Sequence, residues 1–103
     1  MDYWPEILQV IPVEGRKVYL YFDDGTIRLY DATDQLSKGR FRELLEGNLF
    51  YETCTVINHT LAWTLDGTYC ETTSLDIDPT FLYETSPIVD EPHWLFANQG
   101  GTE

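Results

Sequence analysis

The stretch Lys17-Val-Tyr-Leu-Tyr-Phe-Asp-Asp-Gly-Thr-Ile-Arg-Leu-Tyr-Asp31 decides the fold. Apolar residues alternate on both sides of Asp24-Gly25, a dipeptide that favours a two-residue type I′ turn between paired strands. Such a loop fixes the register of the hairpin, with these facing pairs: Phe22–Ile27, Leu20–Leu29, Tyr21–Arg28 and Tyr19–Tyr30. The first two pairs then form an apolar inner side, and the last two form an outer side that carries the tyrosines and the arginine.

The residues on either side of this hairpin extend the sheet and cover it. Residues 6–13 form another apolar, β-branched run that ends at Glu14-Gly15, which predicts a three-stranded antiparallel meander. Residues 37–47 predict one short helix that begins at an Asp34 or Ser37 cap and ends at Gly47. Its apolar stripe consists of Phe41, Leu44 and Leu45, and we expect it to pack on the inner side of the sheet.

The second half of the chain predicts more antiparallel sheet. A two-residue loop at Asn58-His59 places Val56 opposite Leu61 and Cys54 opposite Trp63. A second tight turn, at Asp66-Gly67, would place Cys70 on the other side of Trp63. The two cysteines would then lie about 10 Å apart, beyond the roughly 7 Å that a disulfide spans, so we expect free thiols.

These elements predict an α+β fold. It consists of an antiparallel β-meander, one short helix, a second antiparallel hairpin or meander, and a short C-terminal helical turn. The Asp78-Pro79 pair starts that turn, with aspartate as the cap and proline at the first helical position. We expect a single domain over residues 1–84 and an irregular tail over residues 85–103 that docks in part.

The charge of the chain is strongly acidic and unevenly spread. Eighteen acidic residues against six basic ones give a net charge of −12, and all six Lys and Arg lie in the first 42 positions, whereas eleven acids follow Arg42. This balance disfavours nucleic acid as a partner. No stretch approaches the ~20 apolar residues of a membrane span, and no signal peptide opens the chain, so we expect a cytoplasmic protein. The acids either solubilise one side of the domain or steer a basic partner to it.

The sequence contains no motif that predicts a catalytic residue, a cofactor or a metal. Asp76 and Asp78 are two carboxylates without a clustered third ligand, and the cap at Asp78 explains one of them. His59 and His93 lack the spacing of a zinc site, and His59 is interpreted as a turn residue.

Two groups of apolar and aromatic residues are left as candidates for a partner surface. One is the outer side of the first hairpin, with Tyr19, Tyr21, Arg28 and Tyr30, and the other is the tail, with Trp94 and Phe96. Either the tail covers the tyrosines within one chain, or the rings simply stack with Arg28, or these residues meet a second copy or a protein partner.

Several segments together suggest a family. They are the Asp23-Asp-Gly25 turn, Tyr30-Asp31, Phe41-Arg-Glu-Leu44, Trp63, and the closing Leu75-Asp-Ile-Asp-Pro-Thr-Phe-Leu-Tyr-Glu84. Over residues 5–84 the chain resembles the small bacterial family catalogued as domain of unknown function 2442, although residues 64–74 are longer here. The resemblance implies a compact α+β domain, which in some members looks like one half of a toxin–antitoxin pair, and it carries no catalytic residues.

The expected function is therefore a protein-interaction or regulatory module, antitoxin-like under the resemblance, that binds a protein partner or a second copy. The alternative is a small-ligand or metal-binding protein, or an enzyme, that uses carboxylates of the acidic second half. The candidate carboxylates for that alternative are Asp66, Glu71, Asp76 and Asp78.

Overall fold

A computed structural model describes residues 3–64 and 74–92 of the chain. The fold is α+β, with two three-stranded antiparallel sheets ordered β1-β2-β3 and β4-β5-β6. The elements are β1 (Ile7–Val13), β2 (Lys17–Phe22), β3 (Ile27–Asp31), two 3-10 helices (Gln35–Ser37 and Gly39–Leu45), α1 (Leu49–Glu52), β4 (Cys54–Ile57), β5 (Thr60–Trp63), β6 (Leu75–Asp76) and α2 (Pro79–Thr85). In the described ranges, no helix has the length and apolar character that a membrane crossing requires.

The predicted meander is present, but the predicted register between β2 and β3 is wrong by one residue. The amide of Phe22 donates to the Thr26 carbonyl at 3.0 Å and the amide of Gly25 donates to the Phe22 carbonyl at 3.1 Å, so the loop has three residues instead of two. Gly25 takes the left-handed conformation that this loop needs, with φ +90°. The observed facing pairs are Tyr21–Ile27, Leu20–Arg28, Tyr19–Leu29 and Val18–Tyr30.

The side chain of Asp24 explains why the longer loop is preferred. Its carboxylate accepts hydrogen bonds from the Thr26 amide at 2.9 Å and the Thr26 hydroxyl at 2.7 Å, which closes a local turn around Gly25. The hydroxyl of Tyr83, on α2, donates to the same carboxylate at 2.7 Å. The loop is therefore held both locally and by a residue far along the chain.

In the second sheet, β5 pairs with β4 in the predicted register, but its other neighbour is not the predicted one. Asn58 and His59 both have positive φ, as a type I′ turn requires, and the pairs Val56–Leu61 and Cys54–Trp63 are confirmed. The other side of Trp63 pairs with Leu75, so the predicted pairing with Cys70 is wrong. Cys70 lies outside the described residues.

The predicted helix over residues 37–47 is instead 3-10 helix over Gly39–Leu45. In a three-residue period, positions i and i+3 point the same way, so Phe41 and Leu44 face the core. Leu45 is 48% exposed, and neither 3-10 helix has a side-chain cap. Gly47 does take the expected left-handed conformation, with φ +53°. The short helix α1 follows it, where the sequence pattern predicts no helix.

Trp63 lies at the centre of the core and joins the helical segments to the second sheet. Its side chain is fully buried, and its indole N–H donates to the Phe50 carbonyl at 3.1 Å. Phe41 packs edge-on against it, with ring centroids 5.9 Å apart. The first sheet is tied to this unit where the Ile7 amide donates to the His59 carbonyl at 2.8 Å.

Helix α2 and the segment after it lie beside β3. Asp78 caps the helix by accepting from the Thr80 amide at 3.0 Å, with Pro79 in the first turn, as the sequence predicts. Beyond the helix, the Leu29 amide donates to the Pro87 carbonyl at 3.0 Å and the Val89 amide donates to the Ile27 carbonyl at 2.8 Å. Residues 87–89 therefore extend the free edge of the first sheet.

Candidate interaction surfaces

Tyr19 and Tyr21 lie on the side of the first sheet that faces away from the core. Alternation along the three strands places further apolar side chains beside them. We call this surface the outer face and define it by Ile11, Val13, Tyr19, Tyr21, Ile27 and Leu29. All six are half-buried, and none belongs to the core cluster of the described residues. An apolar surface of this kind is the type that protein contacts cover.

Arg28 and Tyr30, which the sequence assigns to the same side as these tyrosines, lie on the opposite side. The one-residue shift in register turns both of them inward. Tyr30 is 7% exposed and belongs to the core. Burial, helped by the charges of Asp31 and Asp34, raises the pKa of Tyr30 to about 12. The four predicted surface residues are therefore split between the two sides of the sheet.

The Arg28 side chain links β3 to the end of α2 through hydrogen bonds. Its guanidinium donates to the Tyr83 carbonyl at 2.8 Å and to the Ser86 carbonyl at 3.1 Å. It also lies 3.9 Å from the centroid of the Tyr83 ring. These carbonyls belong to the last turn of α2, where a cation is favoured. Arg28 therefore has a structural role, and its guanidinium is not part of the candidate partner surface.

Asp24 completes this cluster of polar contacts. Partial burial alone raises the pKa of its carboxyl, but the hydrogen bonds from Thr26 and Tyr83 and the charge of Arg28 outweigh that effect. The net result is a pKa below the usual range of an aspartate. The Asp24 carboxylate is therefore the ionised acceptor that holds the turn and α2 together.

The remaining predicted surface residues, Trp94 and Phe96, lie outside the described residues. The chain that leads to them reaches the outer face. Burial raises the pKa of the Tyr21 hydroxyl, and the nearby Glu91 carboxylate raises it further. Glu91 acts on Tyr21 through its charge and through a close contact with the hydroxyl, a contact that lacks the geometry of a regular hydrogen bond. Pro92, the last described residue, is buried.

The acids of the second half are the other candidates for contact with a partner. The second-half acids within the described ranges are exposed except for Glu91, which is half-buried: Glu43, Glu46, Glu52, Asp76, Asp78, Glu84, Asp90 and Glu91. Across the described part of the chain there are two ion pairs, Lys38–Asp34 and Arg40–Glu43. Among these acids, Glu43 therefore has a basic partner within 4 Å.

Arg16 further reduces the positive charge that is available at the surface. Its guanidinium donates to the Leu44 carbonyl at 3.2 Å and lies 5.7 Å and 5.6 Å from the ring centroids of Phe50 and Tyr51. With Arg28 also half-buried and turned inward, two of the six basic residues are used for internal contacts. These two basic side chains are therefore less available to a partner than a count of basic residues suggests.

A groove of about 410 Å³ lies between β3, the first 3-10 helix and α2. Leu29, Tyr30, Phe81 and Pro87 contribute apolar surface to it, and the charged residues that line it are Lys17, Lys38, Asp31 and Asp34. Phe81 is 47% exposed.

The carboxylates considered for a ligand or metal do not gather in the described part of the chain. Asp76 and Asp78 are exposed, and Asp78 is engaged as the helix cap. Asp66 and Glu71 lie outside the described residues. Over residues 3–64 and 74–92, no group of three or more His, Cys, Asp or Glu side chains is arranged to hold a metal ion.

Cys54 is a free thiol packed against the core. Burial raises its pKa to about 12, so at neutral pH it is protonated and a poor nucleophile. The thiol is therefore part of the packing.

No protein-family model, no curated protein and no solved structure matches this chain. The resemblance to domain of unknown function 2442 stays a prediction from its residues.

Proposed function

We propose that this chain is a protein-interaction module that binds a basic protein partner through its exposed acidic surface. One observation carries the proposal. Of the acids after Arg42 in the described ranges, all but Glu91 are exposed and all but Glu43 form no ion pair, while Arg16 and Arg28 are bound to carbonyls of their own chain. A field of one sign attracts a partner of the opposite sign and speeds its association.

The resemblance to domain of unknown function 2442 suggests which basic protein this is. In that family some members look like one half of a toxin–antitoxin pair. We therefore propose a regulatory, antitoxin-like role, in which the partner is a small basic protein encoded beside this chain.

Co-purification from the native cell tests the proposal. The tagged chain is expected to retain a protein of high isoelectric point that is released as the salt concentration rises, because ions screen contacts between exposed charges. Mass spectrometry then identifies the retained protein. Recovery of acidic proteins only, or retention that salt does not weaken, would contradict the proposal.

A matched pair of variants separates a specific surface from total charge. Glu52→Gln with Glu84→Gln removes two exposed acids that form no ion pair in the described ranges, whereas Asp34→Asn with Glu43→Gln removes two that are already paired. Both variants change the net charge by the same amount. We expect the first variant to release the partner at lower salt than the second.

The groove beside β3 supports a second candidate, a small-ligand-binding protein. Its lining of apolar and charged side chains suits a small molecule with an apolar body and polar ends. A thermal-shift screen tests this candidate, with Phe81→Ala as the control that removes the exposed ring from the groove. A stabilising compound whose effect persists in the Phe81→Ala variant does not use the groove.

A further inference from the structure

The outer face is apolar although it lies on the side of the sheet opposite the core. A small antiparallel sheet with one side on the core normally carries polar residues on its other side. Here, the central row of facing residues, Ile11–Tyr19–Leu29, is apolar across all three strands, and the polar residues Gln9, Lys17 and Asp31 lie in the two rows beside it. The six residues that define the face are half-buried instead of exposed. An apolar face of this kind is stabilised when another segment or another chain packs on it.

The described end of the chain lies at the edge of this face. Residues 87–89 pair with the edge of β3, where the Val89 amide donates to the Ile27 carbonyl. Two residues later, Glu91 lies near the Tyr21 hydroxyl, which belongs to the neighbouring strand β2. Pro92 is buried. The described end of the chain therefore lies along the β3 edge of the sheet, and the Glu91 side chain lies near the tyrosine of β2, the strand between β3 and β1.

The segment that follows has the length and composition to cross this face. Neighbouring strands are about 4.8 Å apart, so the whole three-stranded face is about 10 Å wide. Four extended residues span about 13 Å. Residues 93–96 include Trp94, Leu95 and Phe96, three large apolar side chains that gain most when they are removed from water.

We propose that Trp94 and Phe96 pack in cis across the outer face of the same chain, over the row Ile11–Tyr19–Leu29. This inference does not depend on the acidic surface or its partner. It assigns the tyrosine side of the first sheet to the chain's own C-terminal segment.

A double-mutant cycle between Trp94→Ala and Ile11→Ala tests the contact. Trp94→Ala is expected to raise the equilibrium constant of unfolding at least about tenfold, and clearly less in the Ile11→Ala background, because residues in contact are coupled. Trp4→Ala is the matched control: Trp4 is 74% exposed, so its removal is expected to change the constant by less than about threefold. Equal effects of the two tryptophan variants, or additive effects in the cycle, would overturn the proposal.

A second measurement avoids destabilising substitutions and separates a single chain from a pair. In a Trp4→Phe chain, only Trp63 and Trp94 emit, and both are expected to resist acrylamide quenching at every protein concentration, with a light-scattering mass of one chain. A Trp4→Phe, Trp94→Phe chain gives the emission of buried Trp63 alone. Quenching of the Trp94 emission at the rate of a free indole would overturn the proposal. Shielding that appears only as the mass doubles would assign the cover to a second copy and would also overturn it.

Discussion

Substitution of Arg28 by alanine is the most informative change in the fold, because the two possible registers of the first hairpin predict opposite results. In the register that a two-residue loop would impose, Arg28 lies on the outer side and its loss costs little. In the observed register its hydrogen bonds link the end of α2 to β3, so its loss lowers the stability of the fold. The stability of Arg28→Ala therefore measures the register directly.

The magnitude follows from the contacts that are lost. Two hydrogen bonds from the guanidinium to the Tyr83 and Ser86 carbonyls contribute about 1 kcal/mol each. The cation over the Tyr83 ring, 3.9 Å from its centroid, contributes about 0.5–1 kcal/mol more. We expect a loss of about 3 kcal/mol in the free energy of unfolding, which lowers Tm by 10 °C or more, at about 4 °C or more per kcal/mol for a domain of this size.

Urea unfolding followed by tryptophan fluorescence provides the assay. Arg40→Ala is the control, since Arg40 forms an exposed ion pair with Glu43 that contributes about 0.5 kcal/mol or less. Arg28→Lys keeps the charge but loses the planar fork, so we expect it to restore less than half of the lost stability. A single hydrogen bond contributes about 1 kcal/mol. If the losses in the free energy of unfolding caused by Arg28→Ala and by Arg40→Ala differ by less than about 0.5 kcal/mol, half of that contribution, the assignment of Arg28 to the inner side is refuted.

Three further predictions concern single groups. Since burial raises the pKa of Tyr30 to about 12, whereas an unfolded tyrosine ionises near pH 10, the folded state keeps a proton that the unfolded state loses as pH rises from about 10 to 12. Stability is expected to fall in that window, and urea titrations of Tyr30→Phe should show a shallower fall; an unchanged slope would contradict the burial of Tyr30. In a Cys70→Ser background, Cys54 is expected to react slowly with a thiol reagent at pH 8 and rapidly in urea, and immediate stoichiometric labelling of the native chain would show that it is accessible. Asp78→Ala removes the cap of α2 and is expected to cost about 1 kcal/mol in thermal unfolding, whereas Asp76→Ala, at an exposed position, serves as the control and is expected to change little.

The sequence predicts the α+β class and both hairpins, because turn dipeptides and alternating side chains are local signals. Asn58-His59 gives the correct register because both residues take positive φ in a two-residue loop. Asp24-Gly25 is compatible with a two-residue or a three-residue loop. The choice depends on Thr26, which is local, and on Tyr83, which lies 59 residues away from Asp24 in sequence and is invisible to a local pattern.

The same limitation applies to the predicted partner surface. A local pattern disfavours an arginine on the buried side of a sheet, where Arg28 faces Leu20. The position is favourable because carbonyls at the end of α2 accept its hydrogen bonds, and a local pattern does not show these acceptors. The spacing of Phe41, Leu44 and Leu45 fits one side of an α-helix, but only Phe41 and Leu44 are needed at the core. A 3-10 helix presents these two together. In each case, contacts between distant parts of the chain decide between structures that are locally similar.

The affinity for the co-purified basic partner, measured by calorimetry at low and physiological salt, tests the proposed function most directly. We expect Kd to rise with salt, and the Glu52→Gln, Glu84→Gln variant to bind about three- to tenfold more weakly than the Asp34→Asn, Glu43→Gln variant, since unpaired exposed acids contribute about 0.2–1 kcal/mol each at such a contact. Equal affinities of the two variants, together with a Kd that does not respond to salt, would contradict an acidic surface that binds a basic protein.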